Sequence, residues 1–172
     1  MKRLFVLLAA LGITLGNVAA SRGLAATQAD LLPLYSKAGD WLNGTANLKT
    51  LSGKVVIVDV FTFGCSNCKN VTPNLRQLHE RLNASDFAIV GLHAPETPYE
   101  ANRANLAENL KLQGITWPVR IDNDFKLWRI YGISAWPTQL IFDRKGHLRK
   151  TIVGDSQDAA VNATVQQLST EH

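Results

Sequence analysis

The 172-residue chain holds two cysteines, and only two residues separate them: Cys65-Ser66-Asn67-Cys68. Residues 54–61, just upstream, form a β-branched apolar run suited to a central strand covered on both faces. Downstream, Val71, Leu75, Leu78 and Leu82 recur at helical spacing through residues 66–82. The pair therefore falls where a strand ends and a helix begins. A thiol at a helix N-terminus feels unpaired backbone N–H groups and the positive end of the dipole, both of which favour the nucleophilic thiolate. The second sulfur, one turn further in, can reach the first without unfolding the helix, so a mixed disulfide with a substrate can be resolved within the chain. Cys65 is expected to attack and Cys68 to resolve. A zinc site would need further ligands, and His79, His93, His147 and His172 show no paired ligand spacing. A purely structural bridge would close a loop too short to stabilise much.

The elements that must position this pair follow from the same patterns. Residues 87–92 read as a second strand, 99–111 as a second helix, 118–121 as a short extended piece and 123–131 as helical. Residues 138–142 and 147–153 are two strands around a turn at 143–146, and Val161, Val165 and Leu168 mark a closing amphipathic helix. The lead-in, 28–51, is irregular or briefly helical, with Pro33, Gly39 and Gly44 as punctuation. The order βα-βα-ββ-α predicts an α/β three-layer sandwich around a mixed sheet, with an insertion between the second core strand and the C-terminal hairpin. Parallel strands present their C-terminal ends on one edge, so Cys65 and residues 93–96 should share it. A strand starting at Thr138, if antiparallel to the first, begins there as well.

Asp59 lies in the middle of an apolar strand, where burial should raise its pKa and make it a proton acceptor for Cys68. The alternative is a carboxylate held by Lys69 or Lys54. Glu96 is a second acidic candidate at the active edge, and His93 reads as packed or hydrogen-bonded rather than as a base. Arg144, Lys145, His147, Arg149 and Lys150 read as a solvated hairpin, and Trp117, Trp128 and Tyr131 as core.

At the N-terminus, residues 1–3 are positive, 4–15 are largely apolar, and small residues follow at 18–20 and 24–26. This is the layout of a secretory signal peptide, residues 1–20 with cleavage as late as Ala26, ahead of one domain at 27–172. The apolar run is shorter than the roughly 20 residues of a spanning helix. A periplasmic location is expected. Cleavage removes Lys2 and Arg3 from a formal charge of +4, leaving a nearly neutral chain with little to attract nucleic acid. With 46% hydrophobic and 19% charged residues, disorder and fibrous repeats are excluded.

Residues 58–69 (Val-Asp-Val-Phe-Thr-Phe-Gly-Cys-Ser-Asn-Cys-Lys), followed by Pro73, resemble the active-site stretch of thioredoxin-like proteins. Trp136-Pro137-Thr138 resembles that family's cis-proline loop. Trp41, Leu51-Ser52-Gly53-Lys54, Gly91-Leu92-His93-Ala94-Pro95-Glu96, Pro118, Asp122-Asn123-Asp124 and Trp128 resemble the TlpA-like, DipZ-type secreted branch. The likeness covers residues 41–154. It departs at Gly64, where thioredoxins usually carry Trp, at Ser66-Asn67 in place of Gly-Pro, and at Phe61-Thr62-Phe63, where DipZ-type domains carry a tryptophan and a tyrosine. The resemblance implies a periplasmic thiol–disulfide oxidoreductase, most simply a reductase of protein disulfides. Its catalytic residues would be Cys65, Cys68, Asp59 and Pro137, with Trp136, Thr138 and Glu96 at the substrate. No metal and no cofactor beyond the redox-active Cys65–Cys68 disulfide are implied. Protein thiol and disulfide substrates, a membrane electron donor and a monomeric state go with it. Two other readings stay open from sequence: a disulfide-donating oxidant, and a copper chaperone for oxidase assembly. The chaperone would want three residues between the cysteines and a distant histidine ligand.

Overall fold

The computed structural model describes residues 30–35 and 39–171, so the expected signal peptide lies outside the described residues. In chain order the elements are α1 (Leu32–Tyr35), β1 (Trp41–Leu42), α2 (Leu48–Leu51), β2 (Val55–Phe61), α3 (Ser66–Arg81), β3 (Phe87–His93) and α4 (Arg103–Leu112). They continue with β4 (Val119–Ile121), α5 (Lys126–Ile130), β5 (Thr138–Phe142), β6 (Leu148–Val153) and α6 (Asp158–Thr170). The strands form one mixed sheet in the order β1-β4-β3-β2-β5-β6. β2 pairs in parallel with β3, and β3 with β4, while β5 runs antiparallel to both β2 and β6.

All seven residues of β2 are buried because helices cover both faces of the sheet. The period-two alternation of a strand sorts them. Val55, Ile57 and Phe61 join a core with Val71 and Leu75 of α3, Leu106 and Leu110 of α4, and Val161 and Val165 of α6. Val56, Val58 and Val60 join a second core on the opposite face, with Leu34 of α1, Leu51 of α2 and Leu127 of α5. By that parity Asp59 points to the α3 face, the face on which Cys68 is also buried.

The central strands and α3 sit where the sequence places them; the periphery differs in three ways. The lead-in contributes a short edge strand, β1, which pairs antiparallel with β4 through Trp41↔Arg120 and Leu42↔Val119. The second helix starts at Arg103 rather than at residue 99, because the Asn102 side chain accepts the N–H groups of Ala104 and Asn105 and so fixes the N-terminus there. The helix expected at 123–131 shortens to α5, preceded by Phe125 in a left-handed conformation (φ 55°). Trp117 and Tyr131 are core residues as expected, but Trp128 is only half-buried. No helix among the described residues is long and apolar enough to cross a membrane.

Candidate active site

β2 delivers the chain to the sheet edge, and the turn Thr62 to Gly64 carries it into α3. Cys65 is the N-cap of that helix, with extended backbone (φ −69°, ψ 119°), and its Sγ accepts the Cys68 N–H at 3.3 Å. A sulfur in the capping position satisfies a helix amide that has no intrahelical partner, an interaction that strengthens as the sulfur gains negative charge. Cys65 is half-buried and Cys68 buried, both as free thiols, so the exposed and inner positions fall as the spacing predicts. Burial pushes the Cys68 thiol far above its ordinary pKa, and its hydrogen bond to Cys65 and the charge of Asp59 push the same way. Pro73 lies within α3, where its missing N–H interrupts the ladder one turn beyond Lys69.

Asp59 is 4% exposed, and burial raises its carboxyl from 3.8 to about 6, against a lowering hydrogen bond from Gln139. That partner, and neither lysine of the alternative reading, Lys69 or Lys54, is set by sheet register: Asp59 lies opposite Gln139 in the β2–β5 pair, and the Gln139 Nε2 donates to Oδ1 at 3.1 Å.

Thr138, the first residue of β5, pairs with Val60, which brings the cis Trp136-Pro137 peptide to the same edge. The Pro137 carbonyl accepts the Gly154 N–H at 2.9 Å, and the buried Thr138 hydroxyl donates to the Ala135 carbonyl at 2.7 Å. The Trp136 indole N–H donates to the Ala94 carbonyl at 3.0 Å, tying this loop to the segment after β3, and its ring lies 4.4 Å from that of Trp128. His93 is fully buried, stacked on Phe63 and edge-on to Phe61, and burial lowers its pKa from 6.5 to about 4 despite the opposing charge of Glu100.

Glu96 is exposed, and its backbone N–H donates to a different carboxylate, that of Glu100, at 2.8 Å. Glu100 is buried against the turn that precedes Cys65. Sequence pattern alone does not single out Glu100, because it falls inside a stretch with helical spacing. Gly64 is the available signal, since a glycine beside Cys65 leaves room for another side chain.

A protein-family model described as thioredoxin-like matches residues 53–148. The chain belongs to the thioredoxin-like family. Protein DipZ of Mycobacterium tuberculosis is 31% identical over 132 residues, covering 74% of this chain and 19% of DipZ. The chain thus spans about a fifth of that relative's length. The thiol-disulfide oxidoreductase YkuV of Bacillus subtilis is 25% identical, covering 67% of this chain and 78% of YkuV. Among solved structures, a thiol-disulfide isomerase from Corynebacterium glutamicum superimposes with a TM-score of 0.72 at 26% identity, covering 84% of this chain and 98% of that one.

Proposed function

We propose that this protein is a secreted, periplasmic thiol–disulfide oxidoreductase that reduces protein disulfides through Cys65 and Cys68. The observation that carries this reading is the Cys65 sulfur, half-exposed at the N-cap of α3 and hydrogen-bonded to the Cys68 amide, with the second thiol buried behind it. The Cys65 thiolate attacks a substrate disulfide, forming a mixed disulfide and releasing one substrate thiolate. Cys68 then gives its proton to Asp59 and attacks the Cys65 sulfur. The mixed disulfide breaks, the second substrate sulfur leaves as a thiolate that takes up a proton from Asp59 or water, and the Cys65–Cys68 disulfide forms, so two electrons pass to the substrate. Asp59 suits the proton's destination because it shares a sheet face with Cys68 and its pKa near 6 lies close to neutral pH.

Substrate docks along the edge where the half-buried Trp136 and the exposed Glu96 face outward, with the buried Pro137 and Thr138 shaping the loop behind them. Pro137 has no N–H, which limits internal pairing there. A membrane dithiol partner returns the protein to the reduced state, and the protein works as a monomer without metal or further cofactor. The charged start and apolar run of residues 1–15 support export through a signal peptide.

Insulin reduction coupled to a chemical reductant tests the cycle. The wild type is expected to accelerate precipitation of the insulin B chain, Cys65→Ser to abolish the acceleration, and Cys68→Ser to accumulate a mixed disulfide visible by mass spectrometry. Normal turnover by Cys68→Ser would exclude the resolving role.

A further inference from the structure

Glu100 precedes α4 but does not cap it; that position belongs to Asn102. Its bonds run instead toward the nucleophile. Oε1 accepts the Gly64 N–H at 2.9 Å, while Oε2 accepts the N–H groups of Glu96 and Thr97, both at 2.8 Å, and the Thr97 hydroxyl at 3.1 Å. Burial alone would raise this carboxyl, but the Thr97 hydroxyl and the amides of Glu96 and Thr97 outweigh it and hold it below the ordinary value. A Cβ on Gly64 would fall on Oε1, so the missing side chain at 64 is the space this carboxylate fills. Gly64 and Glu100 are thus one structural unit, and it stands directly before Cys65.

This unit has a chemical consequence. The Cys68 N–H favours negative charge on the Cys65 sulfur, whereas a buried carboxylate bonded to the preceding residue opposes it. Anything that disfavours the thiolate disfavours the reduced pair and strengthens it as an electron donor. We propose that Glu100 is a positioning residue of the Cys65–Cys68 pair. Through the Gly64 amide it holds the turn that presents Cys65, and its buried charge biases the pair toward the disulfide, making the reduced protein the stronger reductant. This rests on the dithiol cycle proposed above and adds to it a residue that biases the direction of electron flow.

The test is equilibration with glutathione at pH 7, in which the protein disulfide and two glutathione thiols exchange for the protein dithiol and one glutathione disulfide. Glu100→Gln removes the charge at nearly constant shape. It is expected to raise the equilibrium constant for dithiol formation about tenfold, equivalent to about 30 mV. Gly64→Ala, whose new Cβ evicts the carboxylate while Glu100 stays in the chain, is expected to shift the constant the same way, and it carries the test if Glu100→Gln does not fold. Alkylation of Cys65 should quicken in both variants. A merely structural role would lower the unfolding midpoint and leave the constant within about twofold of wild type, and that result in the folded variants would overturn the proposal. If the wild type equilibrates normally while the variants do not move, only the role of Glu100 falls. A wild type that does not exchange with glutathione would remove the dithiol cycle itself, and the proposal with it.

Discussion

Replacing Asp59 by asparagine should stabilise the protein at neutral pH by an amount that disappears in acid. The carboxyl sits at about 6 in the folded chain against 3.8 when unperturbed, which corresponds to about 3 kcal/mol. Because the folded-state pKa is raised, the carboxyl's contribution to stability is fully present below 3.8 and is lost as pH rises through 6. The wild type at pH 7 therefore carries a buried charge that the Asp59→Asn variant would not. The asparagine amide oxygen can still accept the Gln139 N–H, so that hydrogen bond is retained in kind. Urea unfolding of the reduced protein from pH 4 to 8 should show Asp59→Asn more stable by up to about 3 kcal/mol at pH 7, converging with wild type near pH 4, with an unchanged m-value. His93 shapes the same window in the opposite direction. Its pKa falls from 6.5 to about 4, so its contribution is present above 6.5 and lost as pH falls through 4, again about 3 kcal/mol. In the wild type these two slopes nearly cancel between pH 4 and 6; in Asp59→Asn the His93 slope stands alone. Equal stability of variant and wild type at pH 7, or a difference that does not change with pH, would refute a buried, ionised Asp59.

His93→Leu should leave the Asp59 slope standing alone, so the variant gains about 3 kcal/mol relative to wild type as pH falls from 6.5 to 4 in the same unfolding curves; an unchanged pH profile would show that His93 is not the group being charged. Gly91→Ala should cost about 1–3 kcal/mol, because the new Cβ would stand 2.9 Å from a Val119 methyl and 3.0 Å from the Phe61 ring. Thermal unfolding reads that loss directly, and a wild-type midpoint would mean that β4 gives way freely.

The parts of the fold legible in the sequence are those in which local pattern and tertiary environment agree. β2 is apolar without alternation because both of its faces are covered, and α3 shows its buried stripe at 71, 75 and 78. Asp59 is conspicuous because a carboxylate interrupts that run. Its partner is not, since Gln139 lies 80 residues away and is selected only by the antiparallel register. β1 is two residues long and exists through its pairing with β4, so it leaves no periodic trace. The start of α4 is misplaced by pattern because the spacing of Tyr99 and Glu100 looks helical, whereas Thr97 and Glu100 fold those residues into a turn bonded back toward Gly64. The same competition hides Glu100: its partners are mostly backbone amides, which no sequence pattern displays.

The most direct test of the dithiol cycle is the reduction potential of the wild-type Cys65–Cys68 pair, read from the alkylated fraction across a series of thiol–disulfide buffers at pH 7. A single two-electron transition at or below about −200 mV, absent in Cys65→Ser, is predicted for a reductase. A transition near about −120 mV, the range of a strong oxidant, would reverse the direction of electron flow, and no two-electron transition at all would contradict the cycle.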